Sequence, residues 1–304
     1  MTTRDISSIV TATATPGRHV CGMPVAEYRQ LPAINPSSLA SGLIGVDDVD
    51  PCGIRLAWES PDDVPRTAAT QDRLDRGTLA HLMVLQPELL MDRVAVWRGG
   101  RRASNEWEQF NDENPNKLII TAKDYHEVAT ATNAMRALLP VSRLLVGIQA
   151  EVAMFGSEPR RSGDGYLNVK GQVDAVNFQR HVIADLKTTE AGIDTRAVER
   201  TIRQFHYREK MACYVRWLAA ATGTDLEAWQ CYNVFMSLTP PYGVVVVRFS
   251  TMSLEWGAAR MQQAIEAVDK CLSVNEWPMY CREIFASVEP WEMDDGDKGI
   301  NYDE

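Results

Sequence analysis

Cysteine is sparse and scattered in this sequence: six residues among 304, with no CxxC pair. That distribution argues against a zinc or iron–sulfur framework and predicts reduced thiols in a cytoplasmic protein. No uninterrupted apolar run reaches the ~20 residues a membrane helix needs, so no membrane partner is expected. No basic stretch leads into an apolar one at the N-terminus, which predicts the absence of a secretory signal. No segment repeats at a fixed period. Positive charge is also in short supply. Lys and Arg number 31 against 41 Asp and Glu, for a net charge of −10, which excludes a protein that coats nucleic acid over its whole surface.

What is present is ordinary globular composition, 45% hydrophobic and 24% charged, in a chain long enough for one large domain or two small ones. The charge is unevenly spread. Residues 289–304 hold seven acids against one lysine, whereas residues 195–220 hold six Arg/Lys against two Glu. A basic face confined to one groove is compatible with that distribution. Residues 1–35, rich in Thr, Ala, Ser and Pro, read as a partly ordered leader, and residues 285–304 as an acidic tail. Between them, 36–284 read as one domain. It begins with a short helix near Ser38, a helix from about 65 to 85 ended by Pro87, and a polar surface excursion over 99–117. A helix capped by Thr121 follows. Five stretches then read as strands from their Val, Ile, Tyr and Phe content: "AEVAMFG", "YLNVKGQVDAVNF", "HVIADLKTT", "QCYNVFMSL" and "YGVVVVRF". One long helix, about 195–221, interrupts them and another, about 252–272, follows. The order β-β-β-α-β-β-α points to an α/β sheet packed by helices.

Asp174, Asp185 and Lys187 stand at a suggestive spacing inside the strand-like stretch "KGQVDAVNFQRHVIADLKTTE", residues 170–190. Residues i and i+2 of a strand share a face, so Asp185 and Lys187 project together while Leu186 points into the core. If the two strands are hairpin neighbours, Asp174 reaches the same spot. Two carboxylates there repel each other unless a cation lies between them. Mg²⁺ suits such a place, being held by one or two carboxylates with phosphate and water, and Lys187 beside it can orient or activate a water. The plainer reading is a strand-end Asp174 and an exposed Asp185–Lys187 ion pair of little energetic consequence. The apolar flanks favour the site, because a DxK among core residues needs a reason.

Three ordered blocks resemble the PD-(D/E)xK nucleases, and within them the phage and prophage exonuclease VIII (RecE-type) group. "RGTLAHLMVLQPELL" is similar to that group's Gly-Thr-x-x-His helix and Leu-x-Pro-Glu turn. "KGQVDAV…IADLKTT" matches its metal-binding Asp and Asp-x-Lys, with Val173 in place of the nominal proline. "QFHYREKMACY" is close to its Gln-x-x-Tyr pattern, with Lys210 where relatives often have a second glutamine. The resemblance implies a restriction-endonuclease-like mixed sheet flanked by helices, elaborated by N-terminal helices. It implies that His81, Asp174, Asp185 and the Leu186 backbone carbonyl bind the metal, Mg²⁺ with Mn²⁺ as a substitute, and that Lys187 assists the attacking water. Taken alone, His81 on a helix face with Leu74, Thr78, Leu82 and Leu85 would be a core histidine; the matching block makes it a ligand. Glu151, opening the strand before Asp174, stands where related nucleases carry an acidic site residue, and equally fits a solvated strand start.

In the helix after Lys187, Val198, Ile202, Phe205, Ala212 and Val215 share an apolar side. Arg196, Arg200, Arg203, Tyr207, Lys210 and Tyr214 fall opposite, as on any solvated face. Its closeness to Lys187 favours a phosphate-binding stripe, in which Gln204 and Tyr207 position substrate. Arg76, beside the Gly-Thr-x-x-His block, is a candidate for a terminal phosphate. The resulting expectation is a Mg²⁺-dependent exonuclease acting on double-stranded DNA ends. By resemblance it works 5′ to 3′ in a bacterial host, leaves 3′ strands for an annealing recombinase, and forms a ring-like homo-oligomer. A single-strand or structure-specific endonuclease, or a catalytically silent binding relative, are the alternatives. The cysteine spacing speaks against the related iron–sulfur nucleases.

Overall fold

The computed structural model describes residues 5–44, 48–59, 67–100, 102, 104–190 and 192–279. A 3-10 turn, Ile6–Ile9, leads into strands β1 (Val10–Thr11) and β2 (Arg18–Cys21). Helices α1 (Val25–Gln30) and α2 (Pro36–Ala40), the paired strands β3 (Leu43–Ile44) and β4 (Asp48–Val49), and α3 (Pro51–Glu59) follow. Helix α4 (Ala68–Leu85) starts where the Thr67 hydroxyl accepts from the Thr70 N–H and stops before Pro87. Next come α5 (Leu90–Arg93), β5 (Val94–Trp97), α6 (Asn105–Glu113) and β6 (Leu118–Thr121), with β5 and β6 parallel. Helix α7 (Ala122–Ala137) has the expected Thr121 cap, and α8 (Leu139–Leu145) precedes the main strands.

Those strands are β7 (Gln149–Pro159), β8 (Tyr166–Asn177) and β9 (Val182–Thr189). After helices α9 (Thr195–Gln204) and α10 (Tyr207–Thr222) come β10 (Gln230–Ser237), β11 (Val244–Arg248) and α11 (Thr251–Val274). The sheet runs β11-β10-β9-β8-β7-β2, with β1 added against β8. β9 and β10 are parallel and their other neighbours antiparallel, which makes a mixed sheet. Helices cover both faces, so β9 and β10 are apolar on both sides. Ile183 and Phe235 pack with Met211, Leu218, Met261 and Ile265 on one face. Leu186, Val234 and Met236 pack with Leu79, Val128 and Met135 on the other.

The expected α/β architecture and all five strands are present, and three local readings are corrected. Residues 5–35 are no separate leader: Ile6 and Ile9 are buried in the main core, β2 lies along β7, and Ile34 bridges Val169. The helix read as one over 195–221 is two. His206 takes a left-handed φ of 52° that an α-helix cannot pass through, so the chain turns between α9 and α10. The polar stretch 99–117 contains α6, capped by Ser104. The acidic tail, 285–304, lies outside the described residues. Among the described residues no helix is long and apolar enough to cross a membrane.

Candidate active site

The β8–β9 ladder pairs Ala175 with Ala184, Val176 with Ile183 and Asn177 with Val182, and then stops. Asp174 and Asp185 occupy the next rung, where the two strands part. A fork in the sheet is thus flanked by one carboxylate from each strand. Asp174 Oδ2 accepts from the Leu186 N–H at 2.6 Å, which fixes the carboxylate in the fork.

His81 reaches the fork from α4. Gly77, one turn earlier, lets that helix close on β9: a Cβ there would stand 3.0 Å from Thr188 Oγ1. His81 Nδ1 lies 2.9 Å from the Gly77 carbonyl, while Nε2 lies 3.0 Å from the Leu186 carbonyl and 3.2 Å from Asp174 Oδ2. All three neighbours are acceptors. A neutral imidazole has one N–H and cannot satisfy both edges, so Nε2 needs either a proton or a cation shared with the two oxygens. Without the cation the ring takes the proton. Burial works against the charged ring, but the Asp174 carboxylate and the Gly77 carbonyl outweigh it and raise its pKa.

The other acids respond to the same crowding. Burial alone would raise Asp174, yet the charge and hydrogen bond of His81, with Lys187 and the Leu186 N–H, hold it below its usual range. Burial pushes Asp185 up, the Lys187 ammonium draws it back only in part, and the Asp174 charge adds to the rise. Lys187 forms an ion pair with Asp185 and lies over the Tyr207 ring, 4.9 Å from its centroid. Burial disfavours its charge, but Asp185 and Asp174 more than compensate, so the ammonium is kept. Glu151 lies across from Asp174 in the β7–β8 ladder, between the pairs Ala150–Ala175 and Val152–Val173. Burial, followed by the Asp174 charge, raises it to about 7. Its φ of 50° is a strained conformation for a side-chain-bearing residue, of the kind that collects at functional sites.

These residues fit a divalent cation. His81 Nε2, Asp174 Oδ2 and the Leu186 carbonyl oxygen converge at separations of 3.0–3.2 Å where they meet Nε2. A carboxylate, a backbone carbonyl and an imidazole nitrogen are donors that would hold such an ion there. Among the described residues no group of three His, Cys, Asp or Glu side chains forms a ready-made metal cluster. One donor here is a backbone carbonyl, and the Asp185 carboxylate is turned onto Lys187. A further polar residue points the same way. Asn233 is the register partner of Asp185 on β10, fully buried, and neither its Oδ1 nor its Nδ2 has a hydrogen-bond partner. Nothing in the sequence singled it out except one amide inside an apolar strand.

The remaining candidates divide. Arg196, Arg200, Arg203 and Gln204 are exposed on α9, whereas Tyr207 and Lys210 turn inward beside Lys187. Burial and the neighbouring Lys187 lower Lys210 to about 8. Arg76 is not free for a phosphate. Its guanidinium is shared among Asp124, Glu127 and Glu190 and donates to the Leu238 carbonyl. Arg93, which no motif in the sequence marks, lines a cavity of about 400 Å³ that also touches His81, Glu151, Thr78 and the start of α1.

Residues 58–287 match the family described as "PDDEXK-like domain of unknown function (DUF3799)". The chain belongs to this family. PDDEXK nucleases generally use divalent metals, and membership supports a nuclease enzyme. The fold agrees with a solved structure, a "Putative exonuclease" from Eubacterium rectale. The two are 12% identical, with a TM-score of 0.57 over 90% of this chain and 100% of that one. A "phage related exonuclease" from Haemophilus somnus 129PT is 13% identical, covering 80% of this chain and 96% of its own, at a TM-score of 0.34. No curated protein sequence matches at a significant level.

Proposed function

We propose that this PDDEXK-like protein is a Mg²⁺-dependent DNA exonuclease that degrades duplex DNA from 5′ ends and leaves 3′ single strands for an annealing recombinase. The observation that carries the metal-dependent chemistry is the histidine edge facing two oxygens at the mouth of the β8–β9 fork. His81, Asp174, Asp185 and the Leu186 carbonyl would hold the cation, with Mn²⁺ able to substitute. A bound divalent ion neutralises charge developing on the scissile phosphate and acidifies a water. Lys187, whose charge Asp185 and Asp174 favour in the metal-free site, would orient the attacking water and stabilise negative charge. Glu151, across from Asp174 in the β7–β8 ladder, would serve as the proton acceptor. The water oxygen bonds to phosphorus, the bond to the leaving oxygen breaks, and that oxygen takes up a proton.

The test is a digestion time course on linear duplexes labelled separately at their 5′ and 3′ ends, with Mg²⁺ and with chelator, and with a covalently closed circle as control. Early release of the 5′ label only with Mg²⁺, sparing of the circle, and loss of all cleavage in Asp185→Ala are expected. Cleavage of the circle would replace the exonuclease with an endonuclease. Undiminished activity in Asp185→Ala would remove the site assignment.

A further inference from the structure

The turn between α9 and α10 carries an aromatic column that runs outward from the hydrolytic site. Phe205, the last residue before the turn, is 47% exposed. Its ring stacks on Tyr207, with centroids 5.7 Å apart and planes inclined by 21°. Tyr207 in turn lies 6.0 Å from Phe235 in the core and beneath the ammonium groups of Lys187, at 4.9 Å, and Lys210, at 5.6 Å. One ring therefore separates an exposed aromatic side chain from the lysine of the candidate site.

Local helix chemistry does not account for Phe205. His206 is the N-cap residue of α10 without a side-chain bond to the helix backbone, and its Nδ1 lies 3.1 Å from Glu209 Oε1. A residue preceding such a cap usually packs on the fourth residue of the helix, which here is Lys210; Phe205 stacks on the first instead. Nor is it part of an apolar protein-docking face, since Arg200, Arg203 and Gln204 around it are exposed and polar. Exposed aromatic faces interleaved with cations are the usual platform for unpaired nucleobases, because every base offers a π-face and every nucleotide a phosphate.

We propose that Phe205 is a stacking platform for an unpaired terminal base, so that the end reaching Lys187 is a frayed strand rather than a closed pair. This rests on the nuclease reading above and adds the form of DNA that the site takes. Stacking on Phe205 offsets the cost of opening the last pair. A duplex that is already frayed depends less on it, because its free base occupies the platform even when the stack is weakened.

The experiment uses the full chain and two readouts. The first is 2-aminopurine fluorescence, with the probe at the 5′ end of one duplex and the 3′ end of another, recorded in chelator so that no cleavage occurs. The second is single-turnover cleavage with Mg²⁺ of a blunt paired duplex and of one with two mismatched terminal pairs. Phe205→Ala should abolish the wild-type change in fluorescence. It should also raise the frayed-to-blunt rate ratio by about tenfold, the size of one base–aromatic stack. Phe205→Trp should restore both and Phe205→Leu neither. An unchanged ratio, or full function in Phe205→Leu, would overturn the platform. So would a change of molar mass by light scattering in Phe205→Ala, which would make Phe205 a contact between copies. If the wild type cleaves neither duplex, the nuclease reading fails, while the fluorescence arm still decides whether Phe205 stacks on a base.

Discussion

Single residues in this protein are arranged at a cost to the empty fold. Asn233 is the sharpest instance, because a buried amide with neither end bonded sits beside Asp185. Leaving such a group unpaired costs about 1–3 kcal/mol. Asn233→Leu, nearly isosteric and apolar, should therefore raise the stability of the metal-free protein by about 1 kcal/mol. It should also shrink the thermal shift that Mg²⁺ produces, if the amide steadies Asp185 once a cation draws that carboxylate from Lys187. Thermal melts with and without Mg²⁺ check both. A destabilised variant with an undiminished Mg²⁺ shift would make Asn233 an ordinary core residue. Glu151 gives the matching pH signature. Its pKa rises from an ordinary 4.5 to about 7. Across that window the folded chain keeps a proton that the unfolded chain has lost, so metal-free stability falls as pH rises and stays lower above 7. Asp185 shifts in the same direction. Melting temperatures of wild type and Glu151→Gln from pH 4.5 to 8 should therefore diverge, with the flatter profile in the variant. Parallel profiles would count against a perturbed Glu151.

At the scale of elements, what sequence could predict depended on whether side-chain chemistry or backbone geometry made the decision. The five main strands were legible because β-branched runs bounded by turn residues mark them, and the spacing of Asp174, Asp185 and Lys187 was enough to bring them to one place. The divergence of β8 from β9 directly beyond Ala175 and Ala184 was not legible, since register and its termination depend on what else pairs with each strand. The break between α9 and α10 was hidden for another reason. Val198, Ile202, Ala212 and Val215 keep an apolar side across it, so periodicity runs on while His206 turns the backbone. Phe205, read as part of that apolar side, ended up outside. The strand β2 was missed because four residues, Arg-His-Val-Cys, carry too little pattern, whereas α6 could have been found from Ser104 followed by Trp107 and Phe110. On α9 the basic residues stayed exposed, and this gives the element its own test. Arg200→Glu with Arg203→Glu should weaken duplex binding and lower the log–log salt slope by about 0.9 for each phosphate that the helix no longer neutralises. Titrations at several salt concentrations measure it. An unchanged slope would reduce the stripe to a solvated helix face.

The whole molecule sets a problem that its parts do not solve alone. A net charge of −10 disfavours DNA over the molecule as a whole, and the exposed arginines of α9 are a local exception. A single copy held by so local an attraction is then free to leave between cuts. Digestion of long duplexes calls for enclosure, and cyclic symmetry supplies it by directing several identical basic stripes toward one channel. We therefore expect a ring-like homo-oligomer, a trimer or a tetramer. Its basic helices should act together, so that mixing Arg200→Glu/Arg203→Glu subunits into wild-type rings lowers processivity more than in proportion to their fraction. Light scattering at working concentration gives the mass, and adding unlabelled duplex after digestion has begun tests whether engaged enzyme can be trapped. A monomer that digests kilobase duplexes untouched by competitor would show that attachment comes from within one chain, and would move attention from assembly to the walls of the site itself.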